Sequence, residues 1–219
     1  MHFSVSGSAF VFFKALSLLQ KSILMKKMYA IVLLVLCTFW VGSSVFAQKI
    51  KFHTGSKADL KEIKELYVEY DYSELSVGKF DKESDYIAKK KKDYNEKEAG
   101  KGNSWERVWK NDRAKRFHPQ FEELFIKHSG VALKQGAAYK MIVKTTFVEP
   151  GYNIAISRKN AAVSGEIWIV DAADPSKVLI RATFENAPGR SFGGNDYDTG
   201  ERIQEAYAML GKTWGKHFK

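Results

Sequence analysis

Cysteine is almost absent from this 219-residue chain, and the one present, Cys37, lies in a segment that we expect to be removed on maturation. The mature chain is therefore predicted to contain no disulfide bond, no zinc–thiolate site and no thiol nucleophile. Leu36 precedes Cys37, whereas lipidation signals place a small residue at that position, so we do not expect a lipid anchor there.

The sequence also lacks the motifs of the common catalytic and cofactor sites. It contains no Gly-x-Ser-x-Gly nucleophile elbow, no His-Glu-x-x-His zinc motif, and no Gly-Lys-Ser/Thr phosphate loop after Gly193 and Gly194. Residues 195–201 lack the residue order of a calcium loop. We predict no cofactor, no bound metal and no enzymatic activity. A dispersed serine triad and a metal fragment at His118 and Glu122 are the alternatives left open.

Long apolar runs are few, and the clearest one is short. About 13 apolar residues, 29–41, follow the basic pair Lys26 and Lys27 and precede a small-x-small exit at 45–47. This pattern predicts a secretory signal that is cleaved after Ala47. Because a membrane span needs roughly 20 apolar residues, we expect no stable span after cleavage. An uncleaved anchor is the alternative.

The domain organisation follows from that signal. Residues 1–24 contain a second apolar stretch ahead of a complete signal, which indicates a start codon assigned too far upstream and Met25 as the true start. We therefore predict a start extension over 1–24, a signal peptide over 25–47 and a single α+β domain over 48–219. The signal predicts a periplasmic or secreted location.

Acidic residues are outnumbered 25 to 35 by basic ones, and the formal net charge is +10. Four lysines and no acidic residue precede the expected cleavage point, so removal of the signal lowers the charge to +6. The basic residues do not form a groove that alternates with aromatic residues, so we predict no nucleic-acid partner. The lysine run 89–92 is expected to be the solvated side of a helix, and contact with phosphate groups at an envelope surface is the alternative.

Alternating apolar residues predict three consecutive strands after residue 138. Side chains of a strand point to opposite faces in turn, so every second residue belongs to the buried face. The predicted buried positions are Tyr139, Met141, Val143, Thr145 and Phe147, then Val163, Gly165, Ile167 and Ile169, then Val178, Ile180, Ala182 and Phe184. Short links favour an antiparallel meander, to which the alternating run 66–72 adds a fourth strand.

Three longer helices are predicted around this sheet. Residues 84–98 form a mostly polar helix, and residues 104–128 form a second helix with a break at His118 and Pro119. Residues 197–218 carry an apolar stripe with the 3.6-residue spacing of a helix that buries one face.

The last of these helices contains Gly211 and Gly215 one turn apart. The absence of a side chain at both positions is expected to allow a close approach of the helix to the sheet. Together the predicted elements indicate an α+β fold, an antiparallel sheet of about four strands with helices packed on one face.

Several short motifs accompany this order of elements. They are Phe121-x-x-Leu124, Gly130, Val148-Glu149-Pro150-Gly151, Ile167-x-Ile169-Val170-Asp171 and Ala208-x-Leu210-Gly211. The pattern, over roughly residues 50–219, resembles secreted domain-of-unknown-function families of bacterial envelope proteins. Their fold is similar to the periplasmic domain of the curli secretion channel component and to small outer-membrane lipoproteins. The resemblance implies an α+β domain that binds or assembles, with no catalytic residues to carry over and, in the absence of the lipidated cysteine, no implied membrane tether.

Two links of the predicted meander, 150–160 and 187–196, leave the same end of the sheet. Loops that are fixed on a sheet and rich in tyrosine and arginine are favoured places for protein contacts. The candidate partner surface consists of Tyr152, Ile154, Ile156, Arg158, Arg190 and Phe192. Two ordinary mobile loops are the alternative.

These observations predict a non-enzymatic binding or assembly module of the bacterial cell envelope, whose partner is an envelope protein or a polysaccharide. One alternative is a hydrolytic enzyme that acts on envelope polymers, which a cleft with clustered carboxylates or histidines would favour. The other is a structural protein that an uncleaved signal retains at the membrane.

Overall fold

The central sheet has seven strands and is mixed in direction. The computed structural model describes residues 48–154, 157–189 and 198–219. The strands are β1 (Lys49–Thr54), β2 (Glu65–Asp71), β3 (Ser76–Val77), β4 (Ala132–Leu133), β5 (Tyr139–Glu149), β6 (Tyr152–Ile154), β7 (Ser157–Lys159), β8 (Ala161–Asp171) and β9 (Val178–Gly189). The sheet has the order β1-β9-β8-β5-β2-β4, with β3 also paired to β5, while β6 and β7 form a separate hairpin.

The expected sheet of about four antiparallel strands is wrong in number and in direction. Strands β5, β8 and β9 do form the antiparallel meander, and β1 extends it antiparallel to β9. Strand β2 runs parallel to β5, with Val68 opposite Met141. Helices separate these two strands along the chain, and a parallel pair requires a long connection of that kind. The broader expectation of a fold that combines helices with a sheet is confirmed.

Several helices accompany the sheet in the described residues. They are α1 (Lys57–Lys61), α2 (Glu83–Lys97), α3 (Lys101–Asp112), α4 (His118–Ser129) and α5 (Thr199–Gly215), and a 3-10 turn (Lys216–Phe218) follows α5. Helix α5 contacts β8 and β9, and α4 packs beside it. On the β2 side, His118 and Phe121 of α4 contact the ring of Tyr70. No helix in the described ranges has the length and apolar character that a membrane crossing requires.

The apolar periodicity of the sequence locates most of the core correctly. The predicted stripe of α5 is buried at Ile203, Ala206, Tyr207, Leu210, Trp214 and Phe218. Val163, Ile167 and Ile169 of β8 are buried as predicted. The described part of this helix begins at Thr199, where the carboxylate of Asp198 accepts a hydrogen bond of 2.7 Å from the backbone N–H of Gly200.

A β-bulge in β5 reverses the predicted alternation near the end of that strand. Its register with β8 shifts between Thr145 and Phe147, so one additional residue is inserted on the β5 side. As a result Val148 is buried, whereas Phe147, which was expected on the buried face, is only partly covered. Tyr139 and Val178, at the beginnings of their strands, are also only partly buried.

The expected break at His118 and Pro119 is absent, and a wider turn takes its place. Helices α3 and α4 are joined without interruption by a π-helical turn, Arg113–Phe117. The backbone N–H of His118 donates to the carbonyl oxygen of Arg113, five residues earlier. Pro119 has no N–H to donate and its ring displaces the preceding turn, so the inserted residue lets the helix continue past the proline.

Gly211 and Gly215 permit a close approach to helix α4, not to the sheet as expected. A Cβ atom at Gly211 would overlap the carbonyl oxygen of Phe121, and one at Gly215 would lie 2.8 Å from the carbonyl oxygen of Phe125. The two glycines therefore set the spacing between α4 and α5.

Candidate functional site

The β6–β7 hairpin contains the described part of the predicted partner surface. Tyr152 and Ile154 expose 43% and 60% of their surface, and both belong to the small set of large apolar residues that are exposed in the described chain. Three members of the predicted surface, Ile156, Arg190 and Phe192, lie outside the described residues.

The register of the hairpin divides the predicted surface between two faces. Tyr152 pairs with Lys159 and Ile154 pairs with Ser157, whereas Arg158 pairs with Asn153. Paired residues of an antiparallel ladder lie on the same face and neighbours along a strand alternate. Tyr152 and Ile154 therefore share one face, and Arg158 lies on the opposite face, which the sequence-based grouping did not anticipate.

The two predicted links do leave the sheet at a common end as far as they are described. Ala161, where β8 begins, pairs with Gly189, where β9 ends. The hairpin directly precedes Ala161, so the last described residue of β9 lies close to the base of the hairpin.

The base of the hairpin is fixed by two charged side chains. The Arg202 guanidinium, whose residue is only 3% exposed, donates to the carbonyl oxygens of Pro150 at 3.1 Å and Gly151 at 3.2 Å. The Glu149 carboxylate accepts from the backbone N–H of Gly151 at 3.0 Å and from Lys159 Nζ at 2.6 Å. These contacts tie the hairpin to β5 and to the first turns of α5, so its exposed apolar face extends from a defined base.

The lysine run 89–92 is mostly paired within its own helical region. Lys91 contacts Glu106 at 3.0 Å and Lys92 contacts Glu96 at 3.9 Å, while Lys89 pairs with Asp93. Lys90 Nζ lies 5.8 Å from the ring centroid of Tyr86. Charges that already have opposite partners at the surface favour the interpretation of this run as a solvated helix face.

A partly buried polar cluster that sequence reasoning missed lies between the end of β2, the π turn and α5. We call it the tyrosine–histidine cluster, and its members are Tyr70, Tyr72, His118, Thr145 and Tyr207. The Tyr72 hydroxyl is 3.1 Å from His118 Nε2, and the Tyr207 hydroxyl is 2.7 Å from Thr145 Oγ1. The rings of His118 and Tyr70 are parallel, with 3.6 Å between their centroids.

Burial shifts the pKa values of this cluster in the direction of the neutral forms. Desolvation raises the pKa values of the Tyr70, Tyr72 and Tyr207 hydroxyls. Burial, with a smaller contribution from the positive charge of Arg113, lowers the pKa of His118 to about 4. All four side chains are therefore neutral at pH 7.

His118 and Glu122 do not form the fragment of a metal site that their spacing suggested. Glu122 Oε1 accepts the hydroxyl proton of Tyr70 at 3.1 Å, while His118 Nε2 faces Tyr72. Among the described residues, no three His, Cys, Asp or Glu side chains are grouped as metal ligands. The alternation of Tyr70, in β2, and Tyr72, directly after it, was the sequence signal for the cluster, since it places both rings on one face.

Next to this cluster the surface forms a cleft of about 530 Å³. Its lining comes from the residues directly after β2 and from the start of α2 with the two residues before it, and consists of Tyr72, Ser73, Glu74, Leu75, Asp81, Lys82, Glu83 and Ser84. The Glu83 carboxylate forms an ion pair with Arg113 and accepts from the Trp109 indole N–H at 2.5 Å. Glu74 pairs with Lys144 Nζ at 2.7 Å.

Replacing Tyr207 with phenylalanine is expected to lower the free energy of unfolding by about 2 kcal/mol, because the buried Thr145 hydroxyl loses its partner. Denaturant unfolding measures this loss. The matched control is Tyr152→Phe, which removes an exposed hydroxyl that lies 3.2 Å from Ser157 Oγ and should change the free energy by less than about 0.5 kcal/mol. Equal effects of the two substitutions would contradict a stabilising role for the buried hydroxyl.

Comparison with known proteins identifies no family for this chain. No protein-family model matches it, and no curated protein matches it. Among solved structures, the PelC dodecamer from Paraburkholderia phytofirmans matches with a TM-score of 0.34 and 11% sequence identity, over 75% of this chain and 97% of that one. At this level of similarity the match supports no inference about the fold or the function of the present chain.

Proposed function

We propose that this protein is a non-enzymatic binding or assembly module of the bacterial cell envelope, acting in the periplasm or outside the cell. The observation on which this proposal depends is the exposure of Tyr152 and Ile154 on one face of the β6–β7 hairpin. Large apolar side chains in such a position lose exposed area when a partner covers them, and tyrosine is a favoured interface residue.

The proposal is supported by the way the hairpin is attached. Arg202 and Glu149 bond to the backbone at its base, so a partner would meet a surface that is already in place. Preorganisation of this kind reduces the entropic cost of association. The envelope setting is proposed from the signal sequence and from the resemblance to secreted envelope families, and the partner class remains an envelope protein or a polysaccharide.

The alternative of a hydrolytic enzyme is favoured by one observation, the cleft lined by Glu74, Asp81 and Glu83. Two of these carboxylates are held in ion pairs, Glu74 with Lys144 and Glu83 with Arg113. A carboxylate that is neutralised by a structural cation is poorly suited to general acid–base work at neutral pH. Release of soluble fragments from isolated envelope polymers, abolished by Asp81→Asn, would favour the enzyme over the binding module.

Substitution of Tyr152 and Ile154 by serine is expected to reduce partner binding roughly thirtyfold, which corresponds to about 2 kcal/mol for the loss of an apolar anchor. The measurement is capture of cross-linked partner from intact envelopes by a photoreactive phenylalanine analogue placed at 152 or 154. The double serine variant and the wild-type sequence, each analysed with the same photoreactive group at position 157, which pairs with Ile154 and shares its face, give the change in yield.

Val108 provides the matched control, because it is 54% exposed and lies on helix α3. The photoreactive group at 108 is expected to give no specific adduct, and Val108→Ser should leave capture unchanged. Adducts of equal yield at 108 and 152, or an unchanged yield in the double serine variant, would rule out the hairpin as the contact surface.

A further inference from the structure

The π turn Arg113–Phe117 and the residue that follows it both contact Tyr72, which comes directly after β2. The Arg113 guanidinium lies 4.1 Å from the ring centroid of Tyr72, and His118 Nε2 lies 3.1 Å from its hydroxyl. These two residues are also the partners of the backbone hydrogen bond that defines the turn. A π turn contains one more residue than an α-helical turn and is frequently found where a helix has a function.

The surroundings of His118 suit a neutral imidazole. Tyr70 of β2 contributes its ring, Tyr72 directly after β2 contributes its hydroxyl, and the π turn contributes the cation Arg113. The carboxylate of Glu122, one helical turn further, accepts the hydroxyl proton of Tyr70. A proton added to His118 would place a second positive charge beside Arg113 in a partly buried position, where both desolvation and the like charge oppose it.

Side chains of α5 and α2 near Tyr72 and Arg113 also form hydrogen bonds or ion pairs. Tyr207 of α5 bonds to Thr145, and its hydroxyl also contacts Tyr72. Glu83 is the first residue of α2. Its carboxylate forms an ion pair with Arg113 and accepts a hydrogen bond from the Trp109 indole N–H. The Arg113–Glu83 ion pair therefore connects the π turn to one wall of the cleft, and Tyr72 forms part of the same lining.

We infer that the π turn is an acid-sensitive joint, in which protonation of His118 releases residues 113–118 from β2 and loosens the Arg113–Glu83 contact at the wall of the cleft. We call the form in which residues 113–118 contact Tyr70 and Tyr72 closed, and the form in which they have separated from these residues open. The closed form is the one present at neutral pH. The open arrangement becomes populated as the surroundings become acidic, a condition to which a periplasmic or secreted protein is exposed.

The direction of the effect follows from proton linkage. The closed form lowers the pKa of His118 from its ordinary value of 6.5 to about 4, so the open form binds the proton more readily. The stability that the neutral imidazole gives to the closed form is complete above pH 6.5 and falls as the pH decreases toward 4. At pH 5.5 the opening equilibrium should be raised by roughly fivefold to tenfold relative to pH 7.5, with the lower figure allowing for partial solvent screening.

Amide hydrogen exchange of the purified protein tests this inference. Exchange of residues 112–118, corrected for the intrinsic effect of pH on the chemistry, should show the fivefold to tenfold increase in opening between pH 7.5 and 5.5. Residues 163–169 of β8 should show no change. A pH-independent opening of 112–118, or an equal increase in β8 that indicates global unfolding, would overturn the inference.

Two variants assign the effect to one imidazole. His118→Gln removes the titrating group and should abolish the pH dependence, while His53→Gln, which alters an exposed histidine that contacts Thr183 on β9, should retain it. If His118→Gln does not fold, a nuclear magnetic resonance titration of the wild-type protein decides. The ring signal of His118 and the amide signals of 113–118 should then shift with one common midpoint below 6.5, and separate midpoints would overturn the inference.

Discussion

Truncation of Trp214 to alanine is expected to lower the free energy of unfolding by about 4 kcal/mol, the usual range for loss of a fully buried large aromatic side chain. Trp214 is 0% exposed. Its ring stacks on Phe52 of β1 at 5.7 Å, and its indole N–H lies 3.1 Å from Met141 Sδ of β5. The edge of Phe218 completes the contact at 6.0 Å.

This side chain therefore joins an edge strand, a central strand and the turn after α5, so its removal leaves a cavity that three elements border. Chemical denaturation monitored by far-ultraviolet circular dichroism measures the loss. Trp168→Ala is the matched control, because Trp168 is only partly buried on the opposite face, where its indole N–H donates to Glu166 and the Arg181 guanidinium lies 4.8 Å from its ring. The control should cost about 1 kcal/mol, and equal losses for the two tryptophans would contradict the assignment of the core.

Much of this core could be predicted from the sequence because the relevant signal is local. The spacing of Ile203, Tyr207, Leu210 and Trp214 repeats with the period of a helix, and a helix needs no information about distant residues to present them on one face. The same holds for the meander of β5, β8 and β9, whose strands are adjacent along the chain and pair with their neighbours.

The errors concern pairing between distant segments and local deviations from regular geometry. Strand β2 pairs parallel to β5 across an intervening helical region, and its alternating pattern is the same for a parallel and an antiparallel neighbour. The bulge between Thr145 and Phe147 adds one residue and thereby exchanges the two faces of the strand. Nothing in the apolar pattern identifies that residue in advance.

In the candidate sites, too, local patterns could be predicted from the sequence and contacts between distant segments could not. The exposed hairpin residues Tyr152 and Ile154 were predicted as a contact surface, but only the strand register shows that Arg158 lies on the other face. The members of the tyrosine–histidine cluster come from β2, β5, α4 and α5 and from the residue after β2. Tyr70 and Tyr207 are more than 100 residues apart in the sequence, so no local pattern brings them together. Pro119 did mark an irregular position, yet the irregularity is a π turn through which the helix continues, and His118, directly after that turn, stacks on Tyr70 of β2.

A valine in place of Gly211 is the second substitution for which we expect a large effect, a loss of about 3 kcal/mol in the free energy of unfolding. The Cβ atom alone would overlap the carbonyl oxygen of Phe121, and that oxygen belongs to the backbone of α4, which cannot rotate away as a side chain can. Helices α4 and α5 must therefore separate along their contact, and neighbouring residues lose packing as they do.

A graded series distinguishes this steric cause from helix propensity. Gly211→Ala gains about 1 kcal/mol of intrinsic helix stability, yet it should still be destabilising, whereas Gly215→Ala meets backbone atoms at 2.8 and 3.0 Å and should cost less. Lys212→Val introduces the same β-branched residue at a partly exposed position of α5 and should change the free energy by less than about 1 kcal/mol. Because only the position differs between Gly211→Val and Lys212→Val, equal losses would show that the close contact of α4 with α5 does not limit stability, and thermal or denaturant unfolding of the four variants decides the question.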